Sequence, residues 1–266
     1  MVVCAAALGL PRLCAGAAVG HVTPPPPHAP FSYQIGGPFR PARGVRVVDR
    51  DWHVAPAPGR YGICYVNAFQ AQPEDLSWWR SHHRSLLLAH HGRPVIDPGW
   101  GEQLLDTSSA AKRRALAALV GAWIDHCSRA GYRAVEPDNL DSWTRSGGML
   151  TAADNLAFAR LLILRAHADG LAIAQKNAAE LARAGHRLGF DFAIAEECQA
   201  YHECASYLSV YGDLVIEIEY PDDGGKANFL RACRLRGARI SIVYRDRDVT
   251  PAGAPGFLEE RCPSRR

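Results

Sequence analysis

Six apolar runs in this chain stop at acidic or amide side chains. They are Val47-Val48-Asp49-Arg50-Asp51, Cys64-Tyr65-Val66-Asn67, Val135-Glu136-Pro137-Asp138-Asn139-Leu140-Asp141, Gln175-Lys176-Asn177, Ile194-Ala195-Glu196-Glu197-Cys198 and Ile216-Glu217-Ile218-Glu219-Tyr220. Carboxylates repeated at the ends of apolar runs can exchange protons, attack an electrophilic carbon or hold a hydroxyl or ammonium. The block from Glu136 to Asp141 is the densest, with three carboxylates and an amide in six residues, more than a helix cap requires. In Glu196-Glu197, adjacent strand residues point to opposite faces, so only one of the two can look toward a shared centre. Lys176 lies between the two acidic blocks in sequence, where it can hold a carboxylate ionised or bond a sugar hydroxyl. Glu219 and Tyr220 add a further acid and an aromatic ring that can stack or hydrogen-bond.

Such groups do chemistry only if the runs converge. Strands read at 31–37, 45–49, 61–67, 132–135, 171–175, 190–195, 214–218 and 239–244. Helices alternate with the later ones. Ser108 or Ser109 caps a helix that runs to Ala130 and stops at Gly131. Thr151 and Asp154 open a second, to about Ala168, as a variant capping box. Further helical stretches cover about 178–184, 203–210 and 223–236. Eight strands in this alternation predict a single-domain (β/α)8 TIM barrel, which needs about 250 residues, close to the 266 present. In that fold the active site is built from the C-terminal strand ends, where the carboxylates fall. No glycine-rich phosphate loop follows the first strand, which argues against a nucleotide fold.

The remaining composition bounds partners and compartment. A net charge of +3 gives no electrostatic case for nucleic acid. Residues 1–20 read as a signal-like leader, too short and interrupted for stable membrane insertion, and 21–30, with five prolines, as a linker. The barrel then occupies 31–248, with a tail at 249–266. Six cysteines follow the leader, an even number that suits disulfides in a secreted protein. Cys198 and Cys204 are expected to bridge beside Glu196. Cys64 and Cys127 read equally as buried small hydrophobes. There is no C-x-x-C pair, and His82-His83 and His90-His91 lack the spacing of a helical zinc site, so they read as surface loop.

In order along the chain stand Tyr33-Gln34-Ile35, Val48-Asp49, Ile63-Cys64-Tyr65, Trp100-Gly101-Glu102 with Leu105-Asp106, the block Glu136 to Asp141, Leu150-Thr151 with Asp154, Lys176-Asn177, Glu196 with Cys198 and Cys204, and Glu219-Tyr220. This series resembles glycoside hydrolase family 114, the endo-α-1,4-polygalactosaminidases, over about residues 31–246. The resemblance implies an exported barrel that cuts α-1,4-linked galactosamine polymers with carboxylates on the fourth and sixth strands. Carried over residue by residue, these are Asp138 and Glu196, read as nucleophile and general acid/base, with the reverse assignment of the two roles left open. Asp49, Glu136, Asn139, Asp141, Lys176, Asn177, Glu219 and Tyr220 would then bind the polysaccharide, and no metal or organic cofactor is required. The third strand departs from the family pattern, with Tyr65-Val66-Asn67-Ala68 where Tyr-Phe-Ser-Ala-Gly is usual, and so does the context of Pro98-Gly99. Two other readings remain open: a barrel that binds polysaccharide without cleaving it, and a hydrolase of another bond with a metal near the histidine pairs and Asp106.

Overall fold

The computed structural model describes residues 22–263, and the leader expected at 1–20 lies outside them. Eight parallel strands form in chain order: β1 (Phe31–Gln34), β2 (Val47–Asp51), β3 (Tyr61–Asn67), β4 (Ala134–Asp138), β5 (Ala172–Lys176), β6 (Phe192–Glu196), β7 (Val215–Glu219) and β8 (Ser241–Arg245). Each pairs with its sequence neighbour in one continuous sheet, β1 to β8, as a (β/α)8 barrel requires. β1 ends at Gln34, three residues short of the sequence reading, and β3 matches it, while the other strand ends fall one to three residues beyond it, because pairing continues through the polar ends of the apolar runs.

The helices are α1 (Leu76–His82), α2 (Ala110–Ala130), α3 (Ala152–Ala168), α4 (Ala182–Leu188), α5 (Cys204–Tyr211) and α6 (Gly225–Arg236). Their ends follow the local chemistry. The Ser109 hydroxyl accepts from Lys112 N–H, and Gly131 closes α2 at φ 95°, a left-handed cap that glycine adopts without strain. Thr151 and Asp154 form the full capping box of α3. The β1–β2 and β2–β3 connections are irregular loops.

Strand alternation divides the core in two. Phe31, Val47, Ile63, Ala134, Ala172, Phe192, Ile194, Ile216, Ile218 and Val243 face the barrel axis. Their neighbours, such as Cys64, Val135, Ile173, Ala193, Val215 and Ile242, face the helices. This is the period-2 rule applied to a closed sheet buried on both faces.

The seam between β1 and β8 is closed by other means than a parallel ladder. The Ser241 hydroxyl donates to Ala29 O at 2.7 Å, and the fully buried Arg245 donates to Tyr33 O at 2.9 Å. A short strand, β9 (Glu259–Arg261), pairs antiparallel with the free edge of β8, and Ser32 donates to Glu259 Oε2 at 2.7 Å. The segment read as a tail therefore belongs to the barrel wall. The segment read as a linker is also packed: Ala29 is buried, Val22 lies against the interior cluster, and Tyr61 OH donates to Thr23 O at 2.6 Å. Prolines cannot donate to a ladder, but they can cover a barrel end whose own polar groups are satisfied.

Three disulfides staple the fold. Cys198–Cys204 closes the loop after β6 as expected. Cys64 and Cys127 are bonded to each other, joining β3 to α2, and Cys233–Cys262 ties α6 to the segment after β9. That last bridge holds the strand that protects the seam. Replacing Cys233 and Cys262 together by Ala is expected to cost about 3–4 kcal/mol in urea unfolding, with amide exchange accelerating first in β1 and β8. Loss spread evenly over all strands would disprove the local role.

Candidate active site

The mouth of the barrel, at the C-terminal strand ends, opens into a cavity of about 860 Å3. At its base stands Lys176, the last residue of β5, which points inward by parity and is 1% exposed. Its ammonium nitrogen lies 2.7 Å from Glu136 Oε1, 3.0 Å from Tyr33 OH, 3.3 Å from Asp138 Oδ1 and 3.4 Å from Glu196 Oε2. Burial alone would lower its pKa. Asp138, Glu136 and Glu196 outweigh burial and hold it well above the usual lysine value.

Asp138 ends β4 and Glu196 ends β6, flanking β5, and both line the cavity. Asp138 Oδ2 accepts from Tyr65 OH at 2.8 Å, and Oδ1 accepts from Asn139 N–H at 2.7 Å. Glu196 Oε1 accepts from Tyr220 OH at 2.5 Å, and Oε2 accepts from the Asn177 amide at 2.9 Å. Every carboxylate oxygen is thus oriented by a donor, and Lys176 draws one oxygen of each toward the other. The phenols of Tyr65 and Tyr220 are held far above the ordinary tyrosine value, by burial first and then by Asp138 and Glu196 respectively, so both stay donors.

Each of β4, β5 and β6 is followed by a non-glycine residue in the left-handed region: Asn139 (φ 66°), Asn177 (φ 52°) and Glu197 (φ 58°). Asparagine tolerates that conformation; glutamate does so at a cost. The turn folds each of these side chains back across the strand ends. Asn139 donates to Asn67 Oδ1 at 3.0 Å, Asn177 bonds both the backbone and the carboxylate of Glu196, and Glu197 pairs with Arg247. Glu197 is therefore the structural member of its pair. Arg247 also lies over the Tyr220 ring at 4.1 Å and bonds Asp222 at 3.0 Å.

Of the site residues read from sequence, Asp138, Asn139, Asp141, Lys176, Asn177, Glu196 and Tyr220 line one cavity. Three do not. Asp49 and Glu136 are fully buried beneath the cavity floor and cannot touch a sugar. Burial, followed by the Glu136 charge, pushes the Asp49 carboxyl well above the carboxylate range. Both Asp49 oxygens and Glu136 Oε2 are buried without a hydrogen-bond partner, so the pair is the polar cluster of the floor that burial penalises most. Glu219 is the third. Ile216 and Ile218 face the axis, so Glu217 and Glu219 face the helices: Glu217 pairs with Arg236 at 2.7 Å, and Glu219 accepts from Gln199 N–H at 2.9 Å and Asn228 at 2.7 Å. Burial raises Glu219 to about 8.

The structure adds residues that the sequence reading left out. Tyr65 could have been found by register, since it sits opposite Glu136 and two residues before Asn67, which sits opposite Asp138. Glu102 lies in the motif Trp100-Gly101-Glu102 and accepts from Asn67 at 2.7 Å. Arg145 bonds Asp141 at 2.8 Å and lies 2.6 Å from Asp97 Oδ2, tying the loop after β4 to the loop before α2. No local signal marks Arg145 or Arg247, because both act across loops.

A (β/α)8 barrel with two cavity-facing carboxylates gathered at its strand ends is the architecture of a glycoside hydrolase. The chain belongs to the glycoside-hydrolase family GH114, whose model matches residues 13–263. Among solved structures it is similar to Ega3 from Aspergillus fumigatus in complex with galactosamine (22% identity, 91% of this chain and 98% of that one, TM-score 0.73). It is also similar to the glycoside hydrolase domain of PelA from Pseudomonas aeruginosa (15% identity, 86% of this chain and 98% of that one, TM-score 0.55). At these identities the likeness is one of fold. No curated protein gives a match.

Glu102 offers a test of the electrostatics. Burial raises its pKa from 4.5 to about 7, partly opposed by the Asn67 hydrogen bond and reinforced by Asp138. A carboxyl with a raised folded-state value binds its proton more tightly when folded, so its contribution to stability declines as pH rises from about 4.5 to about 7. Melting temperatures of wild type and Glu102→Gln are therefore expected to diverge across that window, the variant gaining on wild type as pH rises. Parallel curves would show that Glu102 titrates normally.

Proposed function

We propose that this protein is an endo-acting glycoside hydrolase that cleaves α-1,4-linked galactosamine-containing polysaccharide outside the cell, with Asp138 as nucleophile and Glu196 as general acid/base. The observation that carries this reading is the pair itself. The two carboxylates are held open to the cavity from strands on either side of Lys176 and share its ammonium at 3.3 and 3.4 Å. Sharing one ammonium limits how far apart the two acids can stand, which favours the retaining arrangement, at about 5–5.5 Å, over the wider inverting one. Asp138, bonded by the Tyr65 hydroxyl and the Asn139 amide, attacks the anomeric carbon. Glu196 gives its proton to the departing glycosidic oxygen. The resulting glycosyl ester on Asp138 is then broken by water, whose proton returns to Glu196, restoring both groups.

The charge of the cavity supports the substrate class. Nine carboxylates line the cavity against three lysine and arginine side chains, although the whole chain carries net +3. That local excess favours a cationic polymer such as deacetylated galactosamine. Secretion is supported by three disulfides, which persist in oxidising compartments. Among the described residues, no helix is long and apolar enough to cross a membrane.

Reducing-end release from an α-1,4-galactosamine polymer is the direct test. Wild type is expected to release ends, and Asp138→Asn and Glu196→Gln to fall by at least about a hundredfold with circular dichroism unchanged. Binding without release by wild type would make the chain a polysaccharide-binding barrel. Proton NMR of the first product is expected to show the α-anomer; the β-anomer would overturn the nucleophile role of Asp138.

A further inference from the structure

Trp100 is exposed where tryptophan is ordinarily buried. Of the six tryptophans in the chain, it alone is exposed, at 55%, and it lies on the cavity wall. Trp79 is buried, and Trp52 and Trp78 each pack against Trp123. Leaving an indole in water forgoes hydrophobic stabilisation that the other five obtain.

The loop that carries it is built rather than slack. Asp97 N–H donates to Glu102 O at 2.8 Å, and Gly101 N–H donates to Asp97 O at 2.8 Å. The 2%-exposed Asp97 side chain accepts from Gly99 N–H at 2.8 Å and from Gln70 at 2.9 Å, with Arg145 Nε at 2.6 Å. Gly101 takes φ 72°, which an L side chain would strain. The same loop delivers Glu102 to Asn67, which neighbours Asp138 through the β3–β4 register. The backbone that presents the indole is therefore held at a set position on the cavity wall. A flat aromatic fixed beside a polar cleft suits a ring with one apolar face. A galactose-type pyranose has such a face, because its axial 4-hydroxyl leaves the C–H bonds at C3, C4 and C5 together on the other side.

Resting on the glycosidase reading above, we propose that Trp100 is the stacking platform for a second sugar ring, beyond the one whose bond breaks, and so sets a preference for long chains over short ones. The cavity, at about 860 Å3, is near the upper end of the ~300–1,000 Å3 common for small-molecule sites and accommodates more than one ring. Trp100 contributes binding held equally in ground and transition states, so its loss moves KM and leaves kcat alone.

The test compares wild type, Trp100→Ala and Trp100→Phe on an α-1,4-galactosamine polymer and on the shortest oligosaccharide that wild type cleaves. KM for the polymer is expected to rise about three- to tenfold in Trp100→Ala with kcat unchanged, Trp100→Phe keeping most of the affinity. The short oligosaccharide should be cleaved equally by all three. Equal losses on short and long substrate, or no loss on either, would overturn the proposal. Affinity electrophoresis through gels containing the polymer, with Glu196→Gln added to every protein, reads the platform independently of turnover. Retardation weakened by Trp100→Ala supports it even where wild type proves to cleave nothing, whereas unweakened or absent retardation overturns it.

Discussion

The ammonium of Lys176 is the constraint on which the rest of the site depends. Removing an isolated cation from water costs several kcal/mol even after relaxation, so a lysine 1% exposed persists only with charged and hydrogen-bonding partners in good geometry. Glu136 and Tyr33 supply these from within the barrel, and Asp138 and Glu196 supply them from the cavity side. The dependence is mutual. Two carboxylates this close repel each other, and the cation between them lets both stand at the mouth. Asp49 lies below, where burial and then the Glu136 charge push its carboxyl toward the neutral form.

Around this ion the barrel solves a problem of aim. Residues at strand ends must look into one small volume although each strand offers only two faces. Inward parity brings Tyr65, Glu136, Asp138, Lys176 and Glu196 to the axis directly. Their successors on β4, β5 and β6 would point away, and the left-handed turns at 139, 177 and 197 bring two of them back to the cavity. Glu197, in the least tolerated of these conformations, accepts from both ends of the Arg247 guanidinium, and Asn139 accepts from Arg145, which places compensation where the backbone is strained. The cross-loop ties of Arg145 and Arg247 keep the rim from opening. At Gly36, a Cβ would lie 2.5 Å from Val249 O, so the loop after β1 packs against the loop after β8 only because that position is glycine.

Much of this was legible in the chain. The strand–helix alternation, the caps at Ser109, Thr151 and Gly131, the bridge Cys198–Cys204 and the position of Asp138 and Glu196 on alternate strands all follow from short-range patterns. So does the family resemblance, which rests on motifs a few residues long. Parity could have gone further: within Val215–Glu219, Ile216 and Ile218 already claim the axial face, which assigns Glu219 to the helices.

What the sequence by itself determined is which residues end strands and which chemical types stand there, because periodicity, capping and strand propensity act over a few residues. Only the tertiary structure decided that Asp49 and Glu136 lie under the floor and that Cys64 meets Cys127. It also decided that residues 259–261 seal the barrel and that Arg145, Arg247 and Glu102 complete the rim. These depend on register around a closed sheet and on loops distant in sequence meeting in space. Such contacts are selected by the burial and pairing of the whole barrel, not by any local signal.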